Sequence, residues 1–317
     1  MTRLLIIRFS ALGDVAMLAP VVRAVAEQYP ELSITMLSQQ RMADLFVNMP
    51  QNVTFHGVDL KKQSLRTIVS GLDAYDVVAD MHSVIRSIYI RTMLMLKGAR
   101  VASIDKGRRS KRQLTREGAR TPLQHTTGRY ADVLAQLGFP IQLPEASMTE
   151  GQGIGIAPFA AHAGKIYPIE KMERVVELLS KEGIEIILFG GGKKEQEILG
   201  AWEKKYPHVT SIAGRLPLRE ELAAIRGLRL MVTMDSANMH LASLVGTRVL
   251  SIWGATHPYA GFLGYGQKES DCIQRDLPCR PCSIYGNKQC QYGDYRCLEI
   301  VPEGIVKKIL SSYEGRD

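Results

Sequence analysis

The sequence lacks any apolar run approaching the roughly 18 to 20 residues that a membrane-spanning helix needs, so an integral membrane protein is not expected. Its start also lacks the layout of a secretory signal. The apolar stretch Leu4–Ile7 ends at Arg8, and no small-residue cleavage site follows it. These two absences favour a cytoplasmic protein.

Cysteine is scarce and confined to one segment. All 5 cysteines of the 317-residue chain lie between Cys272 and Cys297, and an odd number in one segment of a cytoplasmic protein does not indicate a disulfide framework. Four of them have the spacing C-x₂-C-x₇-C-x₆-C, which could hold a tetrahedral structural zinc. Free buried thiols or a redox-labile pair are the alternatives. The four are Cys279, Cys282, Cys290 and Cys297.

The overall composition has no strong bias. Hydrophobic residues make up 45% and charged residues 23%, which is typical of soluble globular chains and excludes a disordered or fibrous protein. A chain of 317 residues fits two domains of roughly 150 residues each. The net charge of +8 indicates an anionic partner without identifying it.

Apolar runs and helical patterns alternate along both halves of the chain, which predicts an α/β fold with doubly wound parallel sheets. We predict a domain at 1–150 and a second at 151–317, the latter carrying the cysteine-rich segment 272–297. Both would be Rossmann-like and would face a cleft, with ligands at the carboxyl ends of the strands. Strands are predicted at 4–7, 34–37, 53–55, 76–80, 101–104, 154–157, 185–189, 230–233 and 249–252, and helices after 4–7 (ending at Pro30) and at 84–97, 169–181, 193–206 and 236–245.

A late strand-to-helix junction has the features of a phosphate site. Asp235 or Ser236 can cap the helix, which leaves backbone N–H groups available at its start, where Ala237 lies. Such a terminus binds phosphate through those groups and the helix dipole. His240, about one turn inside, could face the same ligand. An ordinary helix cap followed by a core histidine is the alternative.

Three other loops after predicted strands carry candidate residues. Asp14 could act as a general base, or could simply stabilise the first turn of its helix. Lys165 could reach a diphosphate as a point charge, or could be a solvated loop lysine. Gly190 and Gly191 permit close approach of a ligand to the backbone. Their loop matches neither the dinucleotide fingerprint nor a Walker A motif, so its signal alone is weak.

Residues 106–120 hold seven basic residues and one acid, which predicts a mobile, cationic loop. It could be a solvated charge run, a clamp for a phosphorylated or carboxylated acceptor, or a contact with anionic lipid. Nucleic acid also fits the charge, but no aromatic residues interleave with the basic ones, which weakens that hypothesis. The candidate acceptor contacts are Arg108, Arg109, Lys111 and Arg112.

Taken in order, these loops resemble glycosyltransferase family 9, the ADP-heptose lipopolysaccharide heptosyltransferases, over nearly the whole chain. In two places the sequence departs from the family pattern: Ala237 replaces the usual glycine, and Tyr167 replaces a frequent tryptophan. The resemblance is carried by Arg8-Phe9-Ser10-Ala11-Leu12-Gly13-Asp14, by Lys165-x-Tyr167-Pro168 and by Asp235-Ser236-x-x-x-His240-Leu241-Ala242, with Pro278-Cys279-Arg280-Pro281-Cys282 and Gly293–Leu298 similar to some members.

The resemblance implies a GT-B architecture and an inverting transfer from ADP-heptose that requires no cofactor or catalytic metal. Asp14 would deprotonate the acceptor hydroxyl. Lys165 and the helix beginning at Asp235 would stabilise the departing nucleoside diphosphate, with His240 nearby. The acceptor would be the anionic inner core of lipopolysaccharide, reached by peripheral contact with the cytoplasmic face of the inner membrane. The basic residues at 106–120 would then meet that core, which is our inference from charge.

Two alternatives stay open at this point. Another GT-B transferase with a different nucleotide sugar would show the same motifs, because sugar hydroxyls are recognised by scattered side chains. From a different class, a zinc-stapled nucleic-acid-binding protein would explain the net charge and the cysteines. It would leave two doubly wound domains without a function, so we expect no nucleic-acid partner.

Overall fold

The computed structural model describes residues 1–117 and 121–315, and the chain divides into two compact units. The sequence alone predicts one boundary near residue 150. The structure instead groups an earlier segment with the second unit. The first unit comprises residues 1–107 and 124–145, and the second comprises 108–123 and 146–317.

The first unit is built on a five-stranded parallel sheet with the order β3-β2-β1-β4-β5. Its central strand is continuously apolar, and residues 4–7 are fully buried, as expected for a strand covered on both faces. All five predicted strands of this half are confirmed. They are β1 (Arg3–Ile7), β2 (Ser33–Gln39), β3 (Val53–Val58), β4 (Val77–Asp80) and β5 (Arg100–Ser103).

Helices cover this sheet, and two of them were predicted from the sequence. The long first helix begins immediately after the β1 loop, and its predicted end before Pro30 is confirmed. One face of the sheet packs through Leu5 and Val78 against Ile90 and Leu94. The helices of this unit are α1 (Leu12–Gln28), α2 (Leu65–Ser70), α3 (Ile85–Leu96) and α5 (Thr126–Gln136). Helix α4 (Arg108–Glu117) lies between α3 and α5 in the sequence but belongs to the other unit.

The second unit contains a six-stranded parallel sheet with the order β11-β10-β9-β6-β7-β8. The four predicted strands are confirmed. The two outermost strands were not predicted, because each is only three residues long and, unlike β7, contains polar residues: Thr210 and Ser211 in one and Gln274 in the other. The six are β6 (Ile154–Ala157), β7 (Ile186–Leu188), β8 (Val209–Ser211), β9 (Leu230–Met234), β10 (Val249–Trp253) and β11 (Cys272–Gln274).

Helices of the second unit enclose a core centred on Val232, Leu250 and Ile252 of the sheet. The prediction of a helix over 169–181 agrees with the structure at both ends. None of the helices in the described part of the chain is long and apolar enough to cross a bilayer. Besides α4, this unit contains α6 (Ile169–Lys181), α7 (Lys193–Lys205), α8 (Leu218–Arg226), α9 (Ala237–Leu244) and α10 (Pro302–Glu314).

Both sheets contain a point where the strand order reverses. In the first unit the reversal lies between β1 and β4, and in the second it lies between β6 and β9. Ligands of open parallel sheets bind beside such points, at the carboxyl ends of the strands. The loops after these four strands are therefore where each unit would hold a ligand.

Candidate functional site

Two predicted site residues meet at the reversal point of the second unit. Lys165 ends a 3₁₀ turn, Ala163–Lys165, in the loop after β6, and Asp235 directly follows β9. Lys165 Nζ lies 2.9 Å from Asp235 Oδ2, and the two side chains are only 16% and 5% exposed. Thr256 Oγ1, after β10, donates to the same carboxylate oxygen at 2.8 Å. The loops after three adjacent strands are thus joined through one carboxylate.

Close backbone packing fixes the position of Lys165. The Ala255 N–H donates to the Gly164 carbonyl oxygen at 2.8 Å, and a Cβ on Gly164 would lie 2.9 Å from the Ala255 Cβ. The Lys165 stem passes over Gly286, where an added Cβ would lie 2.4 Å from Lys165 Cγ and where φ is +75°. Glycine at these two positions leaves room for the lysine to reach Asp235.

The first turn of α9 has the properties of an anion site. Ser236 is its N-cap residue, but the serine side chain makes no capping hydrogen bond to the helix. Its Oγ lies instead 3.1 Å from Thr233 Oγ1. The N–H groups of the first turn, beginning at Ala237, are therefore not satisfied by this side chain, and they carry the positive end of the helix dipole. With Lys165 close by, the arrangement suits a phosphate group.

The other predicted nucleotide contacts differ in their surroundings. His240 lies within α9 and is 8% exposed. Gly190 and Gly191 follow β7, the strand next to β6, but the Gly191 N–H donates to Glu195 Oε2 at 2.7 Å. Tyr167, in the place of the family's tryptophan, is fully buried and donates its hydroxyl to the Ile300 carbonyl at 2.6 Å. Tyr167 therefore supports the loop from inside the core.

Arg280 supports this site, a role that the sequence analysis did not assign to it. The side chain is buried, and it donates to the carbonyl oxygens of Gly254 and Thr256 at 2.5 and 2.8 Å. A third bond reaches Gln274 Oε1 at 2.9 Å. Burial lowers the pKa of this guanidinium. Arg280 thus anchors the loop that presents Thr256 to Asp235. The sequence feature that could have indicated this role is the basic residue between the two cysteines of the C-x₂-C motif.

The cysteine-rich segment does not show the predicted zinc site. Within residues 1–117 and 121–315, no group of three or more His, Cys, Asp or Glu side chains is arranged to hold a metal ion. Cys279, Cys282, Cys290 and Cys297 all have free thiols. Burial raises the pKa of Cys297 to about 11, so this residue is a protonated buried thiol at neutral pH. Cys297 is buried, whereas Cys279, Cys282 and Cys290 are partly exposed.

Asp14 lies at the reversal point of the first unit, in the first turn of α1. Its Oδ2 lies 2.7 Å from Arg8 Nη2 and accepts from the Ala11 N–H at 3.3 Å. The Tyr130 hydroxyl, from α5, donates to the Asp14 carbonyl oxygen at 3.2 Å. The carboxylate is held on several sides, yet 28% of the side chain remains exposed. An acceptor hydroxyl could therefore reach it.

Arg8 joins the two loops that flank the reversal point. It leaves the end of β1, is 7% exposed and donates to the Met81 carbonyl just after β4. Its guanidinium also lies over the ring of Tyr130, 5.5 Å from the centroid. A buried arginine with a carboxylate, a carbonyl and an aromatic face as neighbours is a rigid support for Asp14.

His82 lies beside this pair, and the sequence analysis missed it. Its Nδ1 accepts from the Phe9 N–H at 3.4 Å, and its Nε2 lies 3.5 Å from Ser10 Oγ. The buried Asp80 carboxylate fixes the turn by accepting the backbone N–H groups of His82 and Ser83 at 2.9 and 2.8 Å. The sequence Asp-Met-His at the end of a predicted strand was the signal.

Burial lowers the pKa of His82 to about 4, and the positive charges of Arg8 and Lys106 add to the effect. A histidine in an unfolded chain titrates at about pH 6.5. Between pH 4 and pH 6.5 the unfolded chain therefore binds more protons than the native one. The contribution of His82 to stability is therefore present above pH 6.5 and is lost as the pH falls towards 4.

We expect the imidazole C–H signal of His82 in the NMR spectrum to titrate near pH 4. The signal is assigned by its disappearance in His82→Gln, and the exposed His162→Gln serves as the control for general spectral change. A His82 signal that titrates near pH 6.5 would contradict the placement of this ring among buried groups and cations.

Most of the described part of the predicted cationic loop is a helix. Residues 108–117 form α4, while 118–120 lie outside the described residues. Lys111 and Leu114, three residues apart, are buried, and Lys111 Nζ lies 4.2 Å from the centroid of the Phe262 ring. These contacts explain why a strongly basic segment folds as a helix against the second unit. Arg108, Arg109 and Arg112 are exposed, so they differ in this respect from Lys111.

Lipopolysaccharide heptosyltransferases are among the known proteins that this chain resembles. The chain is 23% identical over 280 residues to lipopolysaccharide heptosyltransferase 3 of Escherichia coli, covering 77% of this chain and 81% of that protein. It is 24% identical over 333 aligned residues to lipopolysaccharide heptosyltransferase 1 of Pseudomonas aeruginosa, covering 92% of this chain and 88% of that protein.

The fold is that of solved heptosyltransferases of the GT-B class. The E. coli heptosyltransferase WaaC with ADP has a TM-score of 0.72 and 16% identity to this chain, covering 98% of this chain and 100% of that one. The family model for glycosyltransferase family 9 (heptosyltransferase) matches residues 71–293. This chain therefore belongs to glycosyltransferase family 9, the heptosyltransferases, and is a glycosyltransferase.

Proposed function

We propose that the protein transfers heptose from ADP-heptose to the anionic inner core of lipopolysaccharide, with inversion at the anomeric carbon and without a catalytic metal ion. The observation that carries this proposal is the pairing of Lys165 with Asp235 beside the first turn of α9, whose Ser236 side chain makes no cap. The names of the relatives support the choice of sugar and acceptor, and the fold shared with an ADP-bound structure supports the nucleotide.

The donor diphosphate is proposed to bind at the start of α9. The N–H groups around Ala237 would hold the phosphate oxygens, and Lys165 would approach from the loop after β6. An ammonium has three N–H donors, and the pairing with Asp235 uses one of them. Lysine and helix N–H groups can neutralise the charge that develops on a departing diphosphate, which is the task a metal ion performs elsewhere.

Asp14 is proposed to be the general base. Inversion requires the acceptor oxygen to attack the face of the sugar opposite the leaving group, while a carboxylate removes its proton. The C–O bond to the diphosphate breaks as the new glycosidic bond forms, and the acceptor proton passes to Asp14 Oδ. Arg8 and Tyr130 would keep this carboxylate in place.

The acceptor's phosphate or carboxylate groups are proposed to meet the exposed basic residues of α4. Arg108, Arg109 and Arg112 offer guanidinium groups suited to bidentate contacts. Lys111 would support the helix through its contact with Phe262. Because the acceptor is carried on a lipid, the proposal includes peripheral contact with the cytoplasmic face of the inner membrane.

A thermal-shift panel with ADP, UDP, GDP and CMP sugars tests the choice of donor, since a bound ligand raises apparent stability by mass action. We expect ADP-heptose to stabilise the chain most. With an inner-core acceptor and excess EDTA, mass spectrometry is then expected to show addition of one heptose, and NMR an inverted anomeric configuration. Strongest stabilisation by another nucleotide sugar, with transfer of that sugar, would favour the alternative GT-B transferase. Loss of turnover in EDTA would contradict metal independence.

A further inference from the structure

The outward side of α3 is apolar, although helices on a sheet normally direct polar residues to solvent. Ile85, Met95 and Leu96 are 85%, 52% and 73% exposed, and Ile88 and Tyr89 are exposed as well. These five residues, the α3 outer face, follow the helical spacing i, i+3, i+4, i+10 and i+11. They form most of the large exposed apolar side chains of the first unit.

The opposite side of the same helix is also apolar and is already packed. Ile90 and Leu94 are buried in the core cluster of the first unit, together with Ile68 and Val69 of α2. The α3 outer face therefore contributes nothing to this core. Large apolar side chains exposed on one side of a helix, here with the exposed Thr92 at i+7 among them, mark an interaction surface.

The charged residues of α3 and the residue that follows it are all basic. The helix contains Arg86 and Arg91 and no acidic residue, and exposed Lys97 follows it directly. Arg91 is paired with the buried Asp80 at 3.1 Å, whereas Arg86 is exposed on the flank. The neighbouring helix α2 adds the exposed Arg66. The patch thus combines aliphatic side chains, one tyrosine and flanking cations.

We infer that the α3 outer face docks on an anionic lipid bilayer surface. Helices that lie in a membrane interface bury an apolar side at the boundary of headgroups and acyl chains, with basic residues at the flanks and aromatic residues at headgroup depth. Anionic lipid attracts such flanking cations. This inference rests on the membrane contact proposed above and identifies the surface that makes it.

The test uses the full chain and sedimentation with two kinds of vesicle, phosphatidylglycerol with phosphatidylethanolamine, and phosphatidylcholine alone. We expect binding to the anionic vesicles to exceed binding to the neutral ones. The variant Ile85→Ser/Leu96→Ser is expected to lower the anionic partition coefficient about tenfold or more, because two large side chains can no longer be buried. Both residues are largely exposed, so the variant should fold.

A matched control is Val301→Ser, which removes an apolar side chain that is 64% exposed in the second unit. Its partition coefficient should change less than about twofold. Wild-type protein that ignores anionic vesicles, or an α3 variant that binds as well as wild type, would overturn the inference. So would a concentration-dependent dimer, seen by sedimentation velocity, that the α3 variant dissociates.

Heptose transfer to a deacylated, water-soluble acceptor separates this inference from the proposed function. The α3 variant should retain this activity within about twofold, since its substitutions lie outside the proposed machinery. A parallel loss of soluble-acceptor transfer would place α3 in the acceptor site and overturn membrane docking. If wild type bound vesicles through α3 but transferred no heptose, the proposed function would fail while the docking surface stood.

Discussion

Replacing Asp14 by asparagine is expected to lower kcat by about 100-fold or more, as loss of a general base does, while ADP affinity stays nearly unchanged. Asparagine has the same size as aspartate and can still accept from the Ala11 N–H, which lies 3.3 Å from the carboxylate. It cannot take up the acceptor proton at neutral pH. Steady-state kinetics with varied acceptor, and calorimetry with ADP, measure the two effects separately.

Two controls accompany this variant. Asp73→Asn removes an exposed carboxylate of the same unit, which is paired with Arg3 at 2.6 Å, and should leave kcat within about twofold because exposed pairs contribute little. Since Asp14→Asn also removes the charge opposite the buried Arg8, thermal unfolding must show that the variant is folded at the assay temperature. A folded Asp14→Asn enzyme with near-normal turnover would exclude Asp14 as the base.

Replacing Lys165 by alanine is expected to weaken both ADP binding and turnover, with kcat/KM lower by about 100-fold or more, as for loss of one preorganised donor to a developing charge. The lysine is the cation nearest to Asp235 at the start of α9, 2.9 Å away. Calorimetry with ADP and steady-state kinetics with varied donor measure the two losses. The partly exposed Lys171→Ala, which removes the partner of Glu299, is the control.

A second variant separates direct binding by Lys165 from an indirect effect of Asp235. In Lys165→Ala the buried Asp235 carboxylate loses its cation and would repel a diphosphate. The double variant Lys165→Ala/Asp235→Asn removes that repulsion. If Lys165 contacts the diphosphate, the double variant should recover less than about a tenth of wild-type activity. Recovery close to wild type would mean that the lysine only neutralises its neighbour.

The strands could be predicted because parallel strands buried on both sides are continuously apolar, whereas the strand order and its reversal points came from the structure. Residues 4–7 and 230–234 show that pattern, and both are buried in the structure. Once the strands were located, chain order alone placed Asp14, Lys165 and Asp235 in loops at strand ends. Lys165 and Asp235 are 70 residues apart, and each was identified because it follows a predicted strand. They meet in the structure because β6 and β9 are neighbours in the sheet.

The residues that the sequence analysis missed act through long-range contacts that carry no local pattern. Arg280 reaches carbonyl oxygens more than 20 residues away, and nothing in a C-x₂-C motif specifies those partners. The environment of His82 depends on a contact with Ser10 in the loop after β1, 72 residues earlier in the chain. We predicted a loop in place of α4 because its many basic residues are typical of a solvated segment and its two buried side chains give only a weak helical pattern. Its contact with Phe262 depends on tertiary packing.

A crystal structure with ADP bound tests most directly whether the donor diphosphate binds at the start of α9. The diphosphate oxygens should lie within hydrogen-bond distance of backbone N–H groups in the first turn after Ser236 and of Lys165 Nζ. A diphosphate held instead at the Gly190–Gly192 loop, with Lys165 still paired to Asp235 and remote from the ligand, would contradict the proposed donor site and the roles derived from it.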